Sequence, residues 1–157
     1  MKTLIIYKSE HGATKQYAEW IHKDIKNSDL FEVDEFNILD LNNYTHIIIG
    51  SSVYGGKMAA LPFLTENFEV IKDKKTFFFT VGLIPSSNMM SQKMYEMIPS
   101  EIRSKIEYIK LPGQITYMKP NFLQRWIFKT FFNGDVDSVI DREKIKPIID
   151  FVKDTNY

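Results

Sequence analysis

Apolar positions along the chain switch repeatedly between two periods. Leu4, Ile5, Ile6 and Tyr7 are consecutive, as in a strand covered on both faces. From Ala13 to about Lys26, Tyr17, Ala18, Ile21 and Ile25 recur three and four residues apart and predict an amphipathic helix. Phe31 to Phe36 alternates imperfectly, which predicts a half-exposed edge strand. His46 to Gly50 reads as another buried strand, running into a Ser-Ser and Gly-Gly segment. A helix from about Leu61 to Ile71 follows, with Pro62 in its first turn, where proline is tolerated. Thr76 to Val81 is a phenylalanine-rich strand ending at Gly82 and a polar loop through Asn88. Pro99 separates short helices at Lys93 to Ile98 and Ser100 to Lys105, and Ile106 to Leu111 is the fifth strand. Asp141 is placed as the N-cap ahead of a helix from Ile145 to Val152, with Pro147 near its start.

Strands separated by helix-length segments require right-handed crossovers, and so predict a five-stranded, doubly wound parallel α/β sheet with helices on both faces. Residues 1–157 carry no linker, internal repeat or low-complexity tract and read as a single domain. In such sheets ligands gather beyond the carboxyl ends of the strands, where the strand order reverses. Three loops therefore matter: the one after the first strand, Ser51 to Met58, and Val81 to Asn88.

Composition removes several classes of function. With no cysteine, there are no disulfides, thiolate metal sites or cysteine nucleophiles. The 20 basic and 20 acidic residues cancel, which argues against a nucleic-acid binder and weakens the case for a strongly steered electron shuttle. The first apolar run is too short for a signal peptide, and no run approaches a membrane span, so a cytoplasmic protein is expected. His22 and His46 read as structural or exposed. The Asp135, Asp137 and Asp141 run does not match a calcium loop, since Gly134 is misplaced. No metal site and no acid–base catalytic side chain are assigned.

The first loop carries the chemistry. Ser9, Glu10, His11, Gly12, Ala13 and Thr14 join a strand to a helix, whose first N–H groups lack intrahelical partners and lie at the positive end of its dipole. Ser9 and Thr14 add donors, Gly12 permits close approach, and Lys15 reads as a solvated helix start. The turn is either a phosphate cradle or a simple cap. A dinucleotide fingerprint needs two more glycines, and a Walker-type site needs Gly-Lys-Ser/Thr. A phospho-accepting receiver needs an aspartate where Gly50-Ser51 stands. A mononucleotide with one phosphate remains.

These residues resemble a known signature. Ser9 to Thr14 is similar to the turn that holds the phosphate of FMN in the flavodoxin family. Ser51, Ser52, Val53, Tyr54 and Gly55 resemble the segment whose aromatic ring stacks on the flavin. Thr80, Val81, Gly82 and Leu83 fall where that family covers the other flavin edge. The family differs in carrying threonine at the position of His11 and asparagine at that of Ala13. The resemblance implies a flavodoxin-like fold and FMN as cofactor.

One segment exceeds what a sheet-covering helix needs. Between Phe122 and Phe132, seven of eleven residues are large and apolar, while Asn121, Arg125, Lys129 and Asn133 form one polar stripe. It is expected as an aromatic helical insertion after the fifth strand. It is either well buried or an interface: a substrate wall, a dimer contact or a peripheral contact with the inner face of the cell membrane through Phe122, Trp126 and Phe131. The opening Met1 to Ile5, the Tyr54-Gly55 pair and the insertion from Tyr117 to Phe132, ending in Gly134, resemble the menaquinone-dependent protoporphyrinogen oxidases. That resemblance implies an oxidoreductase that passes electrons from a porphyrinogen through FMN to quinone. The alternative is a flavodoxin-type carrier moving electrons between redox proteins.

Overall fold

The runs of consecutive apolar residues form the middle of a sheet. The structure is a computed structural model and describes residues 1–114 and 139–154. Its strands are β1 (Thr3–Lys8), β2 (Ser28–Glu32), β3 (His46–Tyr54), β4 (Lys57–Met58), β5 (Lys75–Gly82) and β6 (Ile106–Pro112). Five run parallel in the order β2-β1-β3-β5-β6, and the two-residue β4 pairs antiparallel with the end of β3. The order reverses between β1 and β3, as the doubly wound reading requires.

Alternate residues of each central strand feed two separate cores. On one face Ile5, Ile48, Phe77 and Phe79 pack under α1 (Ala13–Asp24) and a C-terminal helix through Tyr17, Ile21, Ile148 and Val152. On the other face Leu4, Ile6, Ile47, Ile49 and Phe78 pack under α2 (Leu61–Glu66), α3 (Phe68–Ile71), α4 (Met89–Glu96) and α5 (Ser100–Arg103). The C-terminal helix is α6 (Lys146–Lys153). Helices on both faces leave β1, β3 and β5 with completely buried side chains at Ile6, Ile49 and Phe79. Burying one such side chain contributes roughly 1.5–3 kcal/mol.

Four local differences from the sequence pattern have local causes. The edge strand starts earlier than Phe31 and stops at Glu32, because β1 offers it partners only from Thr3 to Tyr7; Val33–Glu35 turns into a 3-10 helix. The helix expected from Leu61 to Ile71 breaks at Asn67, whose Nδ2 donates to the Phe63 carbonyl at 2.8 Å. This side chain competes with the helical ladder for its acceptor. α4 begins at Met89 instead of Lys93 because the Asn88 side chain accepts from the Met90 N–H at 2.9 Å. Finally, β3 continues past Gly50 to Tyr54, so Ser51, Ser52, Val53 and Tyr54 lie on a paired strand and not in a loop.

Asp141 does cap its turn, accepting from the Glu143 N–H at 3.0 Å ahead of a 3-10 turn and α6. Pro147 sits in the first turn of α6. The aromatic segment from Phe122 to Phe132 lies outside the described residues. Among the described residues no helix is long and apolar enough to cross a membrane.

Candidate functional site

The carboxyl end of β1 leads directly into α1 through residues 9–12. Gly12 adopts φ 101°, a left-handed conformation that other residues rarely reach, and its carbonyl accepts the first helical bond from Gln16 at 3.0 Å. The Gly12 N–H donates to Ser9 Oγ at 3.0 Å, which closes the turn. Among the described residues no side chain caps α1. Its first-turn N–H groups therefore point out of the helix end, where the dipole favours an anion.

The second element is a hairpin. Val53 pairs with Met58 and Tyr54 with Lys57, joined by Gly55 and Gly56 at φ 57° and 74°. Two positive φ values in a two-residue loop match the twist of antiparallel strands. Tyr54 rises from this hairpin 39% exposed and makes a ring contact with His11. Beneath it Ser51 is fully buried; its Oγ accepts from the Ala60 N–H at 2.9 Å and donates to the Ser52 carbonyl at 3.1 Å.

The third element is the end of β5. Thr80 Oγ1 shares a 2.7 Å hydrogen bond with the Tyr108 hydroxyl, whose pKa is raised chiefly by burial. The Gly82 carbonyl accepts from Lys110 Nζ at 2.8 Å and from the Gly113 N–H at 2.9 Å. Leu83 is buried just beyond.

These elements converge on one small depression of about 20 Å³. Of the residues singled out in the sequence, Ser9, His11, Ala13, Thr14, Ser52, Val53, Val81 and Gly82 line it. Gly12 shapes the turn behind it, while Tyr54 and Gly55 stand exposed on the hairpin. Ser51, Thr80 and Leu83 are buried off its wall, the first two with their hydroxyls engaged within the fold. Glu10 faces solvent. Gly113 and Gln114 also line the depression and were not singled out. The signal was available, because they follow the fifth parallel strand at the same end of the sheet.

A larger depression of about 750 Å³ flanks β6, between Tyr95, Arg103, Tyr108 and Lys144. Its lining carries the cationic side chains of Arg103, Lys110 and Lys144 beside the carboxylate of Glu96.

The donor set suits a ligand with a single anionic tail. Among the described residues the lining contains no lysine, arginine or carboxylate. Two buried polar atoms on the wall, His11 Nε2 and Ser52 Oγ, have no hydrogen-bond partner among the described residues. An orphaned buried polar atom is costly unless something later satisfies it. Among the described residues no cluster of histidines and carboxylates suits a metal ion.

A family model described as a flavodoxin domain matches residues 4–138. The chain belongs to the flavodoxin family. Among solved structures, it resembles Streptococcus pneumonia TIGR4 flavodoxin with a TM-score of 0.60 and 13% identity, covering 98% of this chain and 96% of that one. Against oxidised flavodoxin 2 from Bacillus cereus the TM-score is 0.51 at 24% identity, over 70% of this chain and 83% of that one. Both likenesses speak to the flavodoxin fold. An uncharacterized protein of Methanocaldococcus jannaschii is 31% identical over 110 residues, 68% of this chain and 67% of the relative.

Proposed function

We propose that the protein binds FMN at the carboxyl ends of β1, β3 and β5 and transfers electrons through it. The observation that carries this reading is the uncapped start of α1 facing a depression walled by strands from a flavodoxin sheet. FMN supplies one- and two-electron redox chemistry, and the protein's part is to hold and orient it. The N–H groups at the start of α1, with the Ser9 and Thr14 hydroxyls, hold the phosphate. Tyr54 flanks one side of the ring and residues 81–83 the other. His11 Nε2 and Ser52 Oγ find polar partners on the ligand. The phosphate is thus met by neutral donors, while the Lys110 ammonium is bonded to the Gly82 carbonyl on the ring side.

The test is a fluorescence titration of the flavin-free protein with FMN. Quenching that saturates at one FMN per chain supports the reading; unquenched FMN at micromolar protein rejects it.

For the electron partners, the similarity of residues 117–134 to the protoporphyrinogen oxidases supports a porphyrinogen donor and a quinone acceptor. That stretch is outside the described residues, apart from which a carrier serving other redox proteins accounts for the site equally well. Anaerobically reduced protein mixed with a menaquinone analogue separates them. Reoxidation within the mixing time, lost on deletion of Asn121 to Asn133 with FMN retained, favours the oxidase. Slow reoxidation by quinone favours the carrier.

A further inference from the structure

Tyr17 is completely buried in α1, one turn after Ala13 and on the same helical face. The apolar periodicity of α1 accounts for its ring, but not for its hydroxyl. That hydroxyl donates to the Pro112 carbonyl at 2.8 Å and accepts from the Asp141 N–H at 3.0 Å. Its partners lie 95 and 124 residues away in sequence. Pro112 ends β6, and the next residue, Gly113, donates to the Gly82 carbonyl at 2.9 Å. The two glycines are in close approach: a Cβ on Gly113 would stand 3.1 Å from the Gly82 carbonyl carbon.

A closed circuit follows. It runs from the phosphate turn through α1 to Tyr17, across Pro112 and Gly113 to Gly82, and back over the depression to Thr14. Both ends of the circuit line the site. We infer that Tyr17 is a positioning residue which sets the spacing between the phosphate turn and the strand end that covers the flavin. This inference rests on the FMN reading above.

The physical consequence is selective. A ligand held at both ends gains affinity only when its two subsites are correctly spaced, because the second contact is then effectively intramolecular. FMN is such a ligand. Riboflavin, which lacks the phosphate, grips only the ring subsite and is indifferent to the spacing.

The experiment compares the two ligands on flavin-free protein. In Tyr17→Phe, which keeps the ring and its packing, the FMN Kd is expected to rise about tenfold, while the riboflavin Kd stays within about twofold. Tyr44→Phe is the control for general loosening, since the Tyr44 hydroxyl bonds Asp29 at 2.6 Å, ahead of the amino end of β3 and far from the site. It should lower the unfolding midpoint without changing the ratio of the two Kd values. Gly113→Ala disturbs the same circuit from the other side and should reduce FMN selectivity as Tyr17→Phe does, which keeps the test open if Tyr17→Phe folds poorly. An unchanged ratio in Tyr17→Phe, or in Gly113→Ala should the former not fold, overturns the inference while leaving FMN binding intact. A wild-type protein that binds neither flavin overturns both.

Discussion

The imidazole of His11 stands edge-on to the ring of Tyr54, with centroids 5.0 Å apart and planes at 74°. One residue comes from the turn between β1 and α1 and the other from the hairpin, so the contact bridges two of the elements that meet at the small depression. Edge-to-face pairs contribute about 0.5–1.5 kcal/mol beyond burial. The pair therefore holds Tyr54 beside the depression before any ligand arrives.

Tyr54→Ala should then lose both the stacking partner and this brace. FMN and riboflavin should weaken together, by about two- to tenfold, since the loss falls on the ring subsite. Tyr54→Phe should bind both nearly as the wild type does. Parallel fluorescence titrations read both variants.

Thr14 is expected to show the opposite selectivity. It is buried at the first turn of α1 and lines the depression. A hydrogen bond to a charged partner contributes about 1.5–3 kcal/mol, so Thr14→Ala should weaken FMN by roughly ten- to a hundredfold. Riboflavin, without the phosphate, should be unaffected.

His46 gives the fold a pH dependence. It is 3% exposed at the start of β3, with Nδ1 at 3.0 Å from Thr45 Oγ1 and Nε2 without a partner among the described residues. Burial, then Lys75 and the N-terminus, lower its pKa. The unfolded chain consequently binds a proton that the native state resists, and stability falls as pH drops below the ordinary histidine value. The slope from this one group is at most about 1.4 kcal/mol per pH unit. Urea midpoints at pH 7.5, 6.5 and 5.5 should fall in the wild type, and less steeply in His46→Phe.

Asp29 acts at lower pH and with the opposite origin. Hydrogen bonds from Lys2 and then Tyr44 hold its carboxyl below the usual range, and burial together with Asp29 pushes the Tyr44 hydroxyl up to about 12. The Lys2 ion pair measures 2.7 Å and is partly exposed. Stability from this group is present above the ordinary aspartate pKa and is lost as pH falls through the depressed native value. After screening by water, Tyr44→Phe should cost about 1 kcal/mol at neutral pH, and the difference should shrink in acid. Denaturant titrations at pH 7 and pH 3 measure it.

Much of this molecule was legible from periodicity, because burial on two faces leaves continuous apolar runs that nothing else explains. The alternation of strands and helices and the doubly wound parallel sheet followed from them. What escaped was decided by single side chains acting across the fold. Asn67 splits a helix by reaching back to Phe63, and Ser51 spends its hydroxyl on Ala60 instead of facing the site. The hydroxyl of Tyr17 meets partners that no local window contains. Gly113 and Gln114 reach the depression only because β6 ends beside β5.

The extension of β3 into a hairpin changes what an arriving molecule meets. Tyr54 is carried on a ladder whose backbone is already paired with β4, so its platform costs little entropy to order. A ligand docking at that side would meet an aromatic face already carried on a paired strand.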